Sequence, residues 1–302
     1  ILPTILGSTL AGGRVSLLRC HRTRSSLTAP GYFTSAYVCE LMVVGDALPL
    51  TDEDLFDECC ANFTNLEEWT CLHPIRSDWG EGDKPTTHSA KYAFPSGPTV
   101  PLDSIDATLD YDFSFRTHES GWRSLAWEHT GYLRVVPKEP RPLAWFLHQL
   151  HALRHLLTVL VGERIFPRIL KVRRKSESRP SYVVFPPRAQ RLPKQVHPQE
   201  MIASAGHLGD TLSAVVSQWF SKRELLKPLT DLFLGAFYND RLFAEFELLA
   251  LTQGLESYHR RRYDGLYLAT FDYEAVRAAL VAAIPEGTPP PLRASLIARL
   301  QY

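Results

Sequence analysis

The change of hydrophobic period near Gly209 constrains this chain more than any other feature. Before it, apolar residues come in short runs rich in aromatic and β-branched side chains and broken by Gly and Pro; after it they recur every three or four residues in long segments. A period of two suits a strand with one buried face and a period of 3.6 suits a helix, so the two halves specify different structures. The expectation is an α+β chain: a β-rich N-terminal domain over residues 1–205, a sandwich or barrel-like sheet with one long helix, then an α-helical bundle over 206–302. A length of 302 residues agrees with two domains.

In the first part, Ala11-Gly12-Gly13 separates two apolar runs, as in a hairpin. Strands are expected in Tyr32–Val44, Leu55–Phe63, Thr108–Phe115, Trp127–Val136, Arg164–Arg174 and Ser181–Phe185. Asn65 before Glu67-Glu68-Trp69 reads as the cap of a helical turn whose acids suit its dipole. The first long helix is Pro142–Val161, opened by a proline, stopped by Gly162 and striped by Leu143, Leu147, Leu150, Leu153 and Leu157. The proline-rich stretch Pro186–Pro198 is a connection. Beyond it, helices are expected at Asp210–Lys222, Pro228–Phe237, Arg241–Tyr263, Tyr273–Ile284 and Pro291–Leu300.

Composition narrows the function classes. Hydrophobic residues at 45% and charged residues at 22% fit a folded globular chain. With 33 basic and 33 acidic residues the net charge is zero, so any polyanion partner must be met by a local patch. Apolar runs such as Leu156–Gly162 fall short of the roughly 20 residues that a membrane helix needs, and no membrane association is expected. All five cysteines lie before residue 72, and an odd number favours reduced thiols and a cytoplasmic protein over a disulfide framework. A start at Ile1 without a signal-like region reads as a fragment of a longer protein.

Three constellations could carry chemistry. Gln253, Glu256, His259 and Arg260 recur at spacings of three and four and share one face of the Arg241–Tyr263 helix, either as a solvated ion-pair strip or as a polar wall facing a cleft. Between Arg164 and Lys194 lie ten Lys or Arg residues against one acid, Glu177. Arg168, Lys171, Arg173, Arg174, Lys175 and Arg179 with nearby aromatics could hold RNA, or could simply be a charged hairpin edge. The acidic run Asp52, Glu53, Asp54, Asp57 and Glu58 could pair with that basic stretch, within the domain or across a dimer. His148, His151 and His155 share a helical face, read as solvated rather than metal-binding, and Cys59, Cys60, Cys71 and His73 lack zinc-ribbon spacing. No metal site is expected. No nucleophile elbow, phosphate-binding loop or dinucleotide fingerprint is present, so no cofactor is expected either.

The run Leu251-Thr252-Gln253-Gly254-Leu255-Glu256-Ser257-Tyr258-His259-Arg260-Arg261 resembles the start of the Apea-like HEPN domain. Phe63–Trp69, Leu160–Pro167 and Leu232–Asn239 resemble the ApeA N-terminal domain that accompanies it. The resemblance implies the sensing or regulatory region and partial HEPN domain of a prokaryotic antiphage-defence RNA endonuclease. It also implies tRNA or another cellular RNA as target, a phage-derived trigger, and a homodimer formed through the HEPN domain. HEPN nucleases act without metal, through an Arg followed after four to six residues by a His: the His moves a proton and the Arg stabilises phosphate charge. Glu256, His259 and Arg260 match only the supporting part. The main pair is expected beyond Tyr302, so the chain as given is expected to be inactive. Internal pairs at that spacing, such as Arg123 with His129, lie outside the HEPN-like region and are discounted. The alternative is a non-catalytic RNA- or protein-binding module.

Overall fold

The computed structural model describes residues 2–10, 12–28, 31–45, 53–79, 88–120, 124–184, 194–239, 242–263 and 270–300. They form two compact units, Ile1–Arg223 and Glu224–Tyr302. The first is strand-rich and the second helical, as the change of period requires.

Unit 1 holds β1 (Leu2–Ser8), β2 (Arg14–Thr28), β3 (Tyr32–Val38), β4 (Leu41–Val44), β5 (Leu55–Phe56), β6 (Glu58–Phe63), α1 (Leu66–Thr70), β7 (Ile75–Trp79), β8 (His88–Tyr92) and β9 (Val100–Leu102). It continues with β10 (Ala107–Ser120), β11 (Ser124–Pro137), β12 (Arg141–Pro142), α2 (Leu143–Val161), β13 (Pro167–Arg173), β14 (Ser181–Val184) and α3 (Ala205–Leu208). The main sheet has ten strands in the order β1-β2-β4-β14-β13-β6-β11-β10-β9, with β3 paired to β2 off that path. Its paired neighbours are antiparallel. Two small pairs, β5–β12 and β7–β8, lie outside it.

Alternation along the strands selects the core face. Leu18, Val43, Val183, Leu170, Val172, Cys59, Ala61, Leu133, Val135, Ala107 and Leu109 belong to one buried cluster with Leu143, Phe146, Leu150, Leu153 and Leu157 of α2. Burying such side chains stabilises by about 1.5–3 kcal/mol each. The expected start and stop of α2 hold: Pro142 is its N-cap, and Gly162, at φ 75, donates its N–H to the Thr158 carbonyl. A left-handed C-terminal residue is where glycine costs least.

Several expected strands are interrupted. Tyr32–Val44 is two strands, parted at Cys39 and Glu40, where the chain changes neighbours along β2. Leu55–Phe63 is parted at Asp57, whose N–H donates to the Arg173 carbonyl. The strand expected to begin at Arg164 begins at Pro167. Asn65 precedes α1 but does not cap it. Its backbone is left-handed, its amide donates to the Lys194 carbonyl, and its Oδ1 accepts from the Val196 N–H. Ala11, Asp52, Arg123, Phe185, residues 186–193 of the proline-rich connection, and Arg241 lie outside the described residues.

α4 (Leu212–Phe237) carries the chain from the first unit into the second. Two helices parted before Pro228 were expected; one helix runs through that proline. Its first half packs into the core of unit 1 through Val216 and Phe220, and Trp219 Nε1 donates to the Ala152 carbonyl of α2. Unit 2 adds α5 (Ala244–Arg262), α6 (Thr270–Ala282) and α7 (Pro290–Arg299). Among the described residues, no helix is long and apolar enough to cross a membrane.

Candidate functional site

On α5 the spacing read from sequence becomes a surface. Glu256, His259 and Arg260 are exposed and line one groove with Leu255 and Tyr258. The His259 imidazole lies 4.9 Å, centroid to centroid, from the Tyr263 ring. Gly254, one turn earlier, is buried, and a Cβ there would stand 3.2 Å from a methyl of Leu229, so the glycine sets how closely α5 approaches α4. The groove thus gathers a carboxylate, an imidazole and a guanidinium on one helix, groups able to hold a phosphate and exchange a proton. Leu255 is its exposed apolar member, and α5 shows further apolar side chains nearer its N-terminus. Phe246, Leu248, Leu249 and Leu255 are all at least half exposed.

Three cations of the basic stretch, Arg173, Arg174 and Lys175, are engaged by the acidic run, and this pairing lies within unit 1. Arg173 Nε stands 2.8 Å from Glu58, Arg174 Nη2 2.6 Å from Asp54, and Lys175 Nζ 3.9 Å from Asp57. The Lys175 N–H also donates to Asp57. Arg174 reaches Glu177 as well, donates to the Leu55 carbonyl, and lies over the Phe56 ring. Lys171 is on β13 opposite Cys60 and Tyr182, with its ammonium 3.8 Å above the Tyr132 ring. That cation is held by aromatic faces. Arg168, Lys175 and Arg179 are exposed.

The histidine face of α2 is exposed at His148 and His151, as its sequence suggests, and half-buried at His155. Arg223 donates to His148 and to the buried Gln149 side chain, and the His151 and His155 rings meet edge-on at 4.0 Å. Burial, with His151 and Arg154 close by, pulls the His155 pKa down to about 3. His155 is therefore neutral at neutral pH. Among the described residues, no group of three His, Cys, Asp or Glu side chains is arranged to hold a metal ion. Cys59 and Cys60 are core thiols; burial raises both, Cys60 to about 12.

A constellation that sequence reasoning missed lies on the β10–β11 hairpin. His129 Nδ1 is 2.9 Å from the Tyr92 hydroxyl, and its Nε2 is 2.9 Å from the Tyr111 hydroxyl. Phe94, Phe113, Phe115 and Trp127 surround this trio with ring contacts. Burial raises both phenols and lowers the imidazole, so all three stay neutral. A neutral imidazole offers one donor and one acceptor, so one phenol donates and the other accepts. That suits a clasp better than an acid–base pair. Alternating aromatics at Tyr111, Phe113 and Phe115 hinted at it; the contribution of Tyr92 comes only from the packing of β8.

Beside the clasp, Glu67 Oε1 accepts from the Gly131 N–H and from the buried Asn62 amide, which also donates to the Gly131 carbonyl. These side chains take over where β11, paired with β6 only from Leu133 to Val135, has left it. Gly131 is obligatory for close approach: a Cβ there would stand 2.5 Å from the Tyr111 hydroxyl.

Compared with known proteins, the family model described as ApeA N-terminal domain 1 matches residues 2–219. No curated protein and no solved structure matches the chain.

Proposed function

The chain belongs to the ApeA N-terminal domain 1 family, and on that premise we propose that unit 1 is the sensing and regulatory part of an ApeA-like antiphage protein. The helices of unit 2 are then the beginning of a HEPN RNA endonuclease domain. The observation that carries this is the groove on α5, which gathers Glu256, His259 and Arg260 inside the run that resembles that domain. In this reading Arg260 and His259 face the scissile phosphate in a supporting role and Glu256 orients them. The trigger is a phage-derived molecule, and the target is tRNA or another cellular RNA. The exposed apolar side chains of α5 support association of two copies through the helices. The cytoplasm is the compartment this role requires.

Cleavage needs an Arg followed by a His at the HEPN spacing, and residues 224–302 contain no such pair. Purified chain incubated with tRNA and a chelator leaves the RNA intact; metal-independent cleavage would overturn the assignment of roles. Where the same helices are joined to one that bears the Arg/His pair, Glu256→Ala and His259→Ala each lower turnover. Unchanged turnover in both removes α5 from the site.

A second reading, a binding module without catalysis, is favoured by the exposure of Arg168, Lys175 and Arg179 near β13 and β14. Its mark is salt-dependent RNA binding by the chain. Binding that survives charge reversal at Arg168, Lys175 and Arg179 excludes this patch.

A further inference from the structure

β2 changes partner at Cys20. Before it the strand pairs with β4, ending at Leu18 opposite Leu41; after it the strand pairs with β3, beginning at His21 opposite Val38. The register is the same on both sides, so counting inward from either pair brings Cys39 opposite Cys20. The junction is pinned. Arg19 is left-handed at φ 55, the Glu40 N–H donates to the Leu18 carbonyl at 3.2 Å, and Arg19 Nη1 stands 3.2 Å from the Glu40 carboxylate. Cys39 itself lies in the break between β3 and β4, so the two are not a ladder pair, but Cys39 is near enough to raise the Cys20 thiol. Opposed residues of flanking antiparallel pairs have Cα atoms about 4.5–5.5 Å apart, inside the roughly 4.4–6.8 Å range that a disulfide spans. Both thiols are free.

We infer that Cys20 and Cys39 are a redox-sensitive pair that closes to a disulfide at the base of the β2–β3 ribbon. Their surroundings give them different roles. Cys20 is fully buried, and its thiol is raised first by burial and then by the nearness of Cys39, whereas Cys39 is only half-buried. The oxidant is hydrogen peroxide. The Cys39 thiolate attacks it; an S–O bond forms, the O–O bond breaks, and the departing hydroxide takes up a proton to leave as water. Cys20 then loses its proton and attacks the sulfenic sulfur. An S–S bond forms, the S–O bond breaks and a second water leaves, so two thiols give up two electrons and two protons to one peroxide.

The other cysteines are poor competitors. Cys59 and Cys60 are consecutive on β6 and so point to opposite faces. Cys20 and Cys71 each donate the thiol to a carbonyl of their own turn, Leu17 and Glu68, and what sets Cys20 apart is the nearness of Cys39. The cross-link has a local consequence. β1 pairs with β2 only as far as Cys20, so the ribbon from His21 to Val38 pairs with nothing but itself among the described residues. A disulfide at its base fixes the angle at which it leaves the sheet.

The test treats the full chain with a few equivalents of hydrogen peroxide, blocks remaining thiols with N-ethylmaleimide, digests without reductant and maps the peptides by mass spectrometry. The expected product joins the Cys20 and Cys39 peptides and is about 2 Da lighter than their sum, reversible by dithiothreitol. Cys20→Ser abolishes it and leaves Cys39 as a sulfenic acid that dimedone traps. Progression of Cys39 to sulfinic or sulfonic acid while Cys20 is recovered alkylated overturns the inference, as does a link between any other cysteines. Mapping of the unaltered chain decides even where the variant does not fold.

Discussion

Arg261 donates from Nη1 to the carbonyl oxygen of Glu224 at 2.6 Å. This is the oxygen that an intact helix would bond to residue 228, and residue 228 is a proline without an N–H. The guanidinium thereby brings a donor to a carbonyl that the proline cannot serve, in a helix that runs on through that proline. Arg261 belongs to the run that carries the HEPN resemblance, and within unit 2 it ties α5 to α4.

Removing that donor exposes the defect. Arg261→Met destabilises the chain by up to about 1 kcal/mol, because the bond is exposed and water can take over part of what the guanidinium supplied. In a Pro228→Ala background the same change costs clearly less, because the backbone then bonds its own carbonyl. Urea denaturation of the four proteins of the cycle checks this; equal costs in both backgrounds refute the link.

How much of this was legible in the sequence depended on the distance to the partner. α2 was readable because Pro142 and Gly162 act locally. The continuation of α4 through Pro228 was not, since the compensating donor lies 33 residues further on, and the failure of Asn65 to cap α1 was hidden because its partners are Lys194 and Val196. The acid–base pairing around β13 was foreseeable in outline, since two opposite charge runs in one neutral chain invite it. Which carboxylate meets which cation depended on the register of β13 against β6.

Arg174 is the most engaged member of that pairing. Arg174→Ala leaves Asp54 and Glu177 facing each other without their shared cation and costs about 1–2 kcal/mol, moderated because the group is about one quarter exposed. Lys175→Ala, at a side chain mostly in solvent, is near neutral. Chemical denaturation midpoints in low and high salt separate the two; equal effects would mean that the contacts of Arg174 contribute nothing.

Glu67 bridges Asn62 and Gly131, so Glu67→Ala leaves a buried amide and a backbone N–H short of an acceptor. A loss of about 1–3 kcal/mol is expected. Gly131→Ala drives a methyl against the Tyr111 hydroxyl and is at least as damaging, while Gly131→Ala combined with Tyr111→Leu recovers part of the loss. Thermal melting of the three variants decides, and a double variant no better than Gly131→Ala alone contradicts the proposed clash.

His155 makes stability depend on pH. Its folded pKa is lowered to about 3 by burial and by its neighbours His151 and Arg154, against about 6.5 in an unfolded chain. The unfolded state therefore binds the extra proton between those values. The contribution is fully present above about pH 6.5 and is lost as pH falls toward 3. His155→Gln flattens the stability profile between pH 6.5 and 4; a variant as acid-sensitive as the original places the dependence elsewhere.

The parting of β11 from β6 below Leu133 gives the β10–β11 hairpin a mechanical character. β11 remains paired to β10 as far out as Ser124, nine residues past the last strand that braces it from the other side. A force or a ligand at the outer end acts on the long arm of a lever, and the bonds of Glu67 and Asn62 to Gly131 sit at the fulcrum. α1, which carries Glu67, is thereby tied directly to the point where the hairpin leaves β6.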